Sequence, residues 1–344
     1  MDLVTLPSRF WKWRMRGASL YFIKHVSDLR AYDGLITTDL MSLSDFKALT
    51  GNACPPALVY FHENQLTYPL APGETMDYQF GFTDITTCLA ADRVLFNSHF
   101  HFDAFFSALP AFIRMMPEFR PQWVIDEIRA KSAVCYPGCR FPEKGDLNKP
   151  SGSGPPLIIW NHRWEFDKDP DQFFRILDHV LERGVDFRLA LLGENFQDVP
   201  KAFTSARERY GERIIQYGYV KSRDAYEQWL SRGDIVISTA AQENFGISIA
   251  EAIRFGCIPL LPNRLSYPEV LPEAYHADFL YRNDEEAVDK LCAIITDPSR
   301  FEPQRENLSA HMGHFSWEKL IDQYDQELER LVWQSVGSTE SIYS

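Results

Sequence analysis

A polar segment rich in Gly, Ser and Pro, residues 142–156, separates two series of alternating strand-like and helix-like patterns. A segment of this composition without apolar periodicity is typical of an interdomain linker. Strands that alternate with helices build parallel α/β units, and 344 residues suffice for two such domains. We therefore predict an N-terminal α/β domain over 1–141, the linker over 142–156, a second α/β domain over 157–315, and a C-terminal helix and tail over 316–344.

The apolar periodicity within each domain predicts its elements. For the N-terminal domain we predict strands at 2–6, 58–61, 93–96 and 133–135 and helices at 18–29 and 77–91. For the C-terminal part we predict strands at 157–160, 189–192, 216–220 and 234–238 and helices at 173–182 and 317–333. Both series fit Rossmann-like parallel sheets, which bind ligands at the carboxyl ends of their strands.

Two glutamates eight positions apart follow one of the predicted strands. Glu243 stands in a loop with Phe245 and Gly246, and Glu251 lies in the Ala-rich helical stretch that begins near Ile247. N–H groups at the start of such a helix lack intrahelical acceptors and hold a diphosphate well. We expect Glu251 about two turns into the helix, on nearly the same face as Glu243, with one carboxylate for sugar hydroxyls and one for a ribose diol. The motif resembles a nucleotide-sugar donor site; alone, it also fits two surface glutamates flanking an ordinary helix.

Two cations, Arg163 and Lys168, follow the predicted strand at 157–160. A guanidinium and an ammonium at this strand-to-helix turn would neutralise a diphosphate leaving group as its charge builds. The predicted strand at 189–192 ends in a small turn with Gly193 and Glu194. Tyr219 and Val220, at the end of the predicted strand at 216–220, are placed where main chain and an apolar side chain could cover a nucleotide base. Each signal is weak alone, but their order along the chain predicts one donor site.

The net charge of −13 argues against a protein that coats nucleic acid through bulk electrostatics. Residues 1–140 are nearly neutral, with 13 Lys and Arg against 14 Asp and Glu, and the remainder carries 22 against 34. The first part contains a basic and aromatic cluster that comprises Arg9, Phe10, Trp11, Lys12, Trp13, Arg14 and Arg16. Cations between aromatic rings can bind phosphates and stack on bases. Alternatively, the three aromatic residues are core and the charges are solvated.

The chain has no stretch of about 18 apolar residues, which predicts no membrane span and a cytoplasmic protein. Its cysteines contain no C-x2-C pair, and the spacing of Cys135 and Cys139 has no matching second half nearby. We therefore predict reduced, mostly buried thiols and no metal site.

On these residues the chain resembles known families. Its C-terminal half resembles retaining GT-B glycosyltransferases through Arg163, Lys168, Glu243 and Glu251. The whole chain more closely resembles the tRNA-queuosine α-mannosyltransferases, through residues 6–14, 60–69, 77–81, 96–98, 160–170 and 267–269. The resemblance implies a GT-B fold, two Rossmann-like domains facing across a cleft that holds the active site. It also implies retaining, metal-independent transfer of mannose from GDP-mannose to the cyclopentenediol of queuosine in the tRNA-Asp anticodon.

The resemblance further implies roles for single residues. His62 matches a histidine beside the transferred sugar, where its ring would bond a sugar hydroxyl and steady positive charge at the anomeric carbon, and Glu243 would select the sugar. Asn64 and Gln65 either contact the acceptor or cap the following loop. The expected contacts to phosphates of the tRNA anticodon arm are Arg9, Lys12, Arg14 and Arg16. Family members begin with an additional strand and a Gly-Gly-Ser-His turn, so the first strand of the N-terminal domain is expected to be missing.

Two other functions stay open. One is a GT-B enzyme with a lipid or small-molecule acceptor. A lipid acceptor favours an amphipathic basic helix, but residues 9–16 separate their polar and apolar side chains poorly on a helix. The other is a non-catalytic RNA-binding relative, which the intact set of Arg163, Lys168, Glu243 and Glu251 argues against. The nucleotide, the sugar and the tRNA rest on the resemblance alone, and no oligomeric state is predicted.

Overall fold

The structure is a computed structural model that describes residues 1–7, 10–71, 73–141, 154–194 and 199–340. The strands are β1 Leu35–Thr38, β2 Ala57–Phe61, β3 Arg93–Phe96, β4 Ser132–Val134, β5 Leu157–Trp160, β6 Arg188–Leu191, β7 Ile214–Tyr217, β8 Ile235–Ile237, β9 Ile258–Pro262 and β10 Leu280–Tyr281. The helices are α1 Trp11–His25, α2 Leu43–Thr50, α3 Tyr78–Ala90, α4 His99–Arg114, α5 Trp123–Ala130, α6 Pro170–Glu182, α7 Lys201–Tyr210, α8 Arg223–Arg232, α9 Ile247–Arg254, α10 Tyr267–Val270, α11 His276–Phe279, α12 Asp284–Thr296, α13 Glu302–Met312 and α14 Trp317–Glu340.

The chain divides into two compact units. The first comprises Met1–Tyr136 with Leu320–Ser344, and the second comprises Pro137–Lys319. Most of α14 therefore belongs to the first unit, although the chain reaches it after completing the second. Residues 142–153 of the predicted linker lie outside the described ranges.

The first unit is built on a parallel sheet with the order β1-β2-β3-β4. Side chains alternate between its two faces. Val59 and Phe61 of β2 point into the larger core, which is filled by apolar residues of α1 to α5. Leu58 and Tyr60 point to the opposite face and pack against Leu331 of α14. The predicted C-terminal helix therefore covers one face of this sheet.

The second unit is built on a parallel sheet with the order β10-β9-β8-β5-β6-β7. The inner strands read as continuous apolar runs, and every residue of β5, β8 and β9 is buried. Strands covered on both faces have this composition because no residue faces water. The predicted strand at 157–160 is confirmed, and Pro170 lies in the first turn of α6 as predicted. The helix itself begins at Pro170 rather than at residue 173.

Three predictions for the N-terminal part were inaccurate. Residues 2–6 form no strand, although they read as one. Strand β1 was missed because its four residues include two threonines and face partly outward, with Ile36 52% exposed. Helix α1 begins at Trp11, seven residues earlier than predicted, and it ends at His25.

The prediction that the thiols are mostly buried is confirmed. In the described part of the chain the cysteines are unpaired, and four of the six are buried. Among the described residues, no helix is both long enough and apolar enough to cross a membrane.

Candidate active site

The strand order of the second unit indicates where a ligand would bind. Strand β5 lies between β6 and β8, so the chain first builds the sheet to one side of β5 and then returns to its other side. In an open parallel sheet this reversal leaves a crevice at the carboxyl ends of the two strands, where ligands bind. The loops after β5 and β8 carry Arg163, Lys168 and Glu243. The predicted cations and the first glutamate thus meet at one switch point.

Hydrogen bonds join these two loops. The N–H of Ala241 donates to the carbonyl of Asp167 at 2.8 Å, and the Thr239 hydroxyl donates to the carbonyls of Lys168 and Asp169, at 2.9 Å each. Asp169 has a left-handed backbone with φ 46° and caps the N-terminus of α6 with its side chain. A non-glycine residue in this region is strained, and its surroundings must hold it. The Thr239 contacts therefore fix the loop that carries Lys168.

Lys168 is the buried cation of the site. Its side chain is 9% exposed, and its ammonium donates to the carbonyl of Gln242 at 2.6 Å. The ammonium also lies 3.4 Å from Glu243 Oε2 and 3.2 Å from Asp167 Oδ2. Burial lowers the pKa of Lys168, but the charges of Glu243 and Asp167 outweigh it, and the net pKa is raised. Lys168 therefore stays charged. It forms an ion pair with Glu243, another predicted site residue, which lies 75 positions further along the chain.

Arg163 is the exposed cation of the same loop. Its side chain is 47% exposed, and one guanidinium nitrogen lies 3.4 Å from Glu165 Oε2. Burial, Lys168 and Arg163 together lower the pKa of His162 to about 3, so this buried imidazole is neutral and shapes the loop. Because both cations act on one imidazole, Arg163 and Lys168 lie in the same electrostatic environment. A diphosphate would be attracted to such a pair.

Helix α9 begins just after the loop that follows β8. Its N-cap is Gly246 with φ 93°, and no side chain within the described ranges caps this helix end. Only glycine adopts this backbone without strain, and an added Cβ would lie 3.4 Å from the Tyr267 ring. Phe245 is buried and Ile247 is 43% exposed. Residues 245–247 were predicted to bind the donor. Within this segment, the uncapped N–H groups at the start of α9 are the groups that attract an anion.

Glu251 is placed differently from the prediction. Helix α9 starts at Ile247, so Glu251 lies about one turn into it rather than two, and Glu243 lies outside the helix. The predicted depth of Glu251 in the helix is therefore wrong, and the predicted place of Glu243 in the preceding loop is confirmed. Glu251 Oε1 accepts a hydrogen bond from Arg223 Nη1 at 2.7 Å, and Oε2 accepts one from the Tyr226 hydroxyl at 3.1 Å.

Asn161, which the sequence analysis missed as a site residue, links this carboxylate to the end of β5. Its Nδ2 donates to the carbonyl of Ser248 at 2.6 Å and to the Tyr226 hydroxyl at 3.2 Å. Asn161 directly follows β5, and its position at a carboxyl strand end is the signal that could have found it. Arg223 and Tyr226 could not have been recognised in the same way. They lie on α8, whose other residues are mostly polar, so nothing in the sequence distinguishes the two side chains that reach Glu251.

The remaining predicted donor-binding residues follow β6 and β7, which lie beside β5 at the same sheet edge. Tyr219 is 59% exposed and Val220 is half-buried. Gly193 is pressed against the β5 loop: an added Cβ would lie 2.1 Å from the carbonyl oxygen of His162 and 2.6 Å from the Trp164 ring. The neighbouring carbonyl of Glu194 accepts the Trp164 N–H at 3.2 Å. Gly193 thus allows the close approach of two loops of the predicted donor site.

We expect Gly193→Ala to displace the 161–168 loop and to weaken nucleotide binding at least about tenfold, since misplaced binding groups lose charge-assisted contacts. Calorimetric titration with GDP measures the loss. Gly313→Ala is the matched control, because an added Cβ there has no heavy atom nearer than Arg254 Nη1 at 4.0 Å. Equal GDP affinity in Gly193→Ala and the control would contradict this role of Gly193.

In the first unit, His62 directly follows β2 and its side chain is 57% exposed. Its N–H donates to Asp39 Oδ1 at 2.9 Å, and its carbonyl accepts from Asn97 Nδ2 at 3.0 Å. Partial burial lowers the pKa of His62, but the hydrogen bond and charge of Asp39 and the charge of Glu63 outweigh it, and the net pKa is raised. The predicted catalytic histidine therefore lies at a carboxyl strand end and favours the protonated form.

Asn64 and Gln65 continue this loop. Asn64 is fully buried, and its Oδ1 accepts hydrogen bonds from the N–H groups of Leu66 and Thr67, at 3.0 Å each. This arrangement matches the capping alternative. The N–H of Gln65 donates to Asp84 Oδ2 at 2.6 Å, and burial raises the pKa of Asp84 well above its ordinary value. Gln65 itself is half-buried, so its side chain retains exposed surface.

The basic residues predicted to meet the acceptor lie on α1, except Arg9, which is outside the described residues. Lys12 forms an ion pair with Glu74 at 3.2 Å, and Arg16 Nη2 donates to Gln79 Oε1 at 2.8 Å. Arg14 is half-buried. Two of the three aromatic residues of the cluster are exposed widely, Phe10 at 74% and Trp13 at 81%, so the alternative that all three are core is wrong.

Comparisons with known proteins identify a family model for each of two parts of the chain. The family model described as "tRNA-queuosine alpha-mannosyltransferase N-terminal" matches residues 1–139, and that described as "Glycosyl transferases group 1" matches 144–313. The tRNA-queuosine alpha-mannosyltransferase of Drosophila melanogaster is 34% identical over 335 residues, which cover 94% of this chain and 87% of that protein. A GDP-mannose:cellobiosyl-diphosphopolyprenol alpha-mannosyltransferase of Xanthomonas oryzae pv. oryzae is 23% identical over 199 residues, 55% of this chain and 52% of that protein.

Solved structures share the fold. A sucrose-phosphate synthase from Thermosynechococcus elongatus has a TM-score of 0.72 at 16% identity, covering 97% of this chain and 82% of that chain. A lipopolysaccharide outer core galactosyltransferase in its apo form has a TM-score of 0.61 at 15% identity, covering 91% and 79%. These neighbours and the two parallel-sheet units confirm the predicted GT-B fold. The long match to the Drosophila enzyme settles the family: the chain belongs to the tRNA-queuosine α-mannosyltransferases, a family of glycosyltransferases.

Proposed function

We propose that this protein transfers mannose from GDP-mannose to the cyclopentenediol of queuosine in tRNA-Asp, with retention of the anomeric configuration. The observation that carries the proposal is the 34% identity to a tRNA-queuosine alpha-mannosyltransferase over 94% of the chain. The shorter match to an enzyme whose name specifies GDP-mannose supports the donor. The cytoplasm is the proposed location.

The donor is held, in this proposal, at the switch point of the second unit. Arg163, Lys168 and the uncapped start of α9 neutralise the diphosphate, so the transfer needs no essential metal. Glu243 binds sugar hydroxyls. Glu251 binds the ribose diol: although Arg223 and Tyr226 already donate to it, a carboxylate offers about four acceptor positions.

His62 acts in the chemical step. Its raised pKa favours an imidazolium, which donates a hydrogen bond to a sugar or phosphate oxygen. An imidazolium repels positive charge at the anomeric carbon, so the donating part of the sequence-based hypothesis is retained and the cation-steadying part is dropped. Retention follows without a protein nucleophile when the acceptor attacks the face that the phosphate leaves and the phosphate takes the acceptor proton.

The acceptor surface is proposed to include α1. Lys12, Arg14 and Arg16 supply positive charge, and the exposed ring of Trp13 supplies a stacking surface. Few phosphate contacts position an RNA on an acidic protein, so binding should be weak and salt-sensitive, with a slope set by few contacts rather than many. The modified base itself carries the specificity, as is usual when proteins read unpaired nucleotides.

The test is a transfer assay with radiolabelled GDP-mannose. We expect transfer to tRNA-Asp that contains queuosine and none to the same tRNA without it. UDP-glucose tests the donor, and a polyprenol diphosphate-linked oligosaccharide tests the lipid alternative that the Xanthomonas relative's name suggests. Equal labelling of unmodified tRNA would refute the proposed acceptor. Labelling of the lipid alone would favour the alternative.

A further inference from the structure

The end of β1 supplies a carboxylate that the sequence analysis did not use. Asp39 directly follows β1 and is 2% exposed, and it meets His62 at the end of the neighbouring strand β2. Its Oδ1 accepts the His62 N–H at 2.9 Å and lies 3.5 Å from His62 Nδ1. One carboxylate oxygen thus contacts both the main chain and the ring of the residue assigned to the chemical step.

We propose that Asp39 is a positioning residue for His62: it fixes the His62 backbone and orients the ring with Nδ1 toward Asp39. The inference rests on the proposed function, which it extends by naming the group that controls the orientation and charge of His62.

The opposite side of His62 is also held. Asn97 follows β3, and its Nδ2 donates to the His62 carbonyl at 3.0 Å. Burial and the charge of His62 lower the pKa of His101 to about 3, so His101 is neutral. His101 Nδ1 donates to Asn97 Oδ1 at 2.8 Å, which sets the direction of the Asn97 amide. Residues at the ends of three adjacent strands therefore hold His62 in place. Rigid elements position a functional group better than loops do.

The charges around His62 give this orientation a chemical consequence. The titratable groups that act on its ring are Asp39 and Glu63, and the nearby His101 is neutral. Partial burial lowers the pKa of His62, but the hydrogen bond and charge of Asp39, the charge of Glu63 and a hydrogen bond with the Tyr60 main chain raise it above the ordinary 6.5. The protonated fraction is therefore lost as pH rises through a value above 6.5. Without the charge of Asp39 the protonated fraction of His62 would be lost at lower pH. The hydrogen bond that His62 donates to the substrate would be lost over the same pH range.

A substrate-free titration tests the coupling. The His62 ring signal is followed by NMR in the full-length protein, in Asp39→Asn and in Asp92→Asn, and it is assigned by its absence in His62→Ala. Asp92 is the matched control, because its Oδ2 accepts the Ala57 N–H at 2.8 Å at the opposite end of β2. We expect Asp39→Asn to lower the pKa of His62 and Asp92→Asn to leave it unchanged. An unchanged pKa in Asp39→Asn overturns the inference, and Asp39→Ser replaces it if the amide variant fails to fold.

Kinetics tests the consequence. We expect Asp39→Asn to lower kcat on the order of 10- to 100-fold through a misplaced ring, with little change in the KM for GDP-mannose. Its kcat should also begin to fall at lower pH than in the wild type. In a His62→Ala background, Asp39→Asn should have no further effect, and a full additional loss there overturns the positioning role. Because the titration uses no substrate, it separates the two hypotheses: a wild type without queuosine transfer refutes only the proposed function.

Discussion

We expect His62→Ala to lower kcat for mannose transfer by about 10²-fold or more while changing the affinity for GDP-mannose little. The reason is that the ring is half-exposed at a carboxyl strand end, whereas the predicted donor-binding groups belong to the second unit. A group that donates a hydrogen bond mainly as charge develops contributes to kcat rather than to ground-state binding. Single-turnover transfer to queuosine-containing tRNA, together with calorimetric titration of GDP-mannose, measures the two effects separately.

The matched control is His314→Ala, which removes another exposed imidazole, one whose Nδ1 is hydrogen-bonded to the carbonyl of His311. It should leave both kcat and donor affinity unchanged. Full transfer activity in His62→Ala would contradict the catalytic assignment. A large loss of GDP-mannose affinity with unchanged kcat would instead make His62 a donor-binding residue.

The sequence predicted the second unit better than the first, and burial explains the difference. Strands such as β5 and β8 are buried on both faces, so their apolar runs identify them without any tertiary information. Strand β1 has one buried residue in four, and its Leu-Ile-Thr-Thr sequence lacks both an apolar run and a clean alternation. Residues 2–6 show the converse: Leu, Val and Thr make them read as a strand, but they pair with no described strand.

The same difference explains which site residues were found. Lys168 and Glu243 could be assigned to one site from sequence because each follows a recognisable strand. Parallel strands bring their carboxyl ends to the same edge of a sheet. Asp39 was missed because β1 was missed. Arg223 was missed because the chain direction of α8 against α9, which no local pattern encodes, brings its guanidinium to Glu251. The predicted depth of Glu251 was wrong because the helix starts only after Gly246, a left-handed residue three positions beyond Glu243.

We expect Lys168→Met to weaken binding of both GDP and GDP-mannose, because the diphosphate loses its buried cation. Truncation of one partner in a buried, hydrogen-bonded charge pair costs about 2 to 5 kcal/mol, so a loss of at least about tenfold in affinity should be measurable by calorimetry. The substitution also leaves the buried Asp167 and the partly exposed Glu243 without their cation, so the free energy of unfolding should fall. Thermal denaturation without ligand measures that second effect.

Two variants separate the loss of binding from the loss of stability. Lys168→Met combined with Asp167→Asn removes the carboxylate charge that the single variant leaves buried, so it should regain stability without regaining GDP affinity. Glu243→Gln should keep GDP affinity and weaken GDP-mannose binding, since Glu243 is assigned to the sugar. Lys201→Met, at an exposed lysine, is the control for removing a positive charge. If Lys168→Met binds GDP as tightly as Lys201→Met does, the diphosphate is held elsewhere, because a bound diphosphate could not lose a buried cation that contacts it without losing affinity.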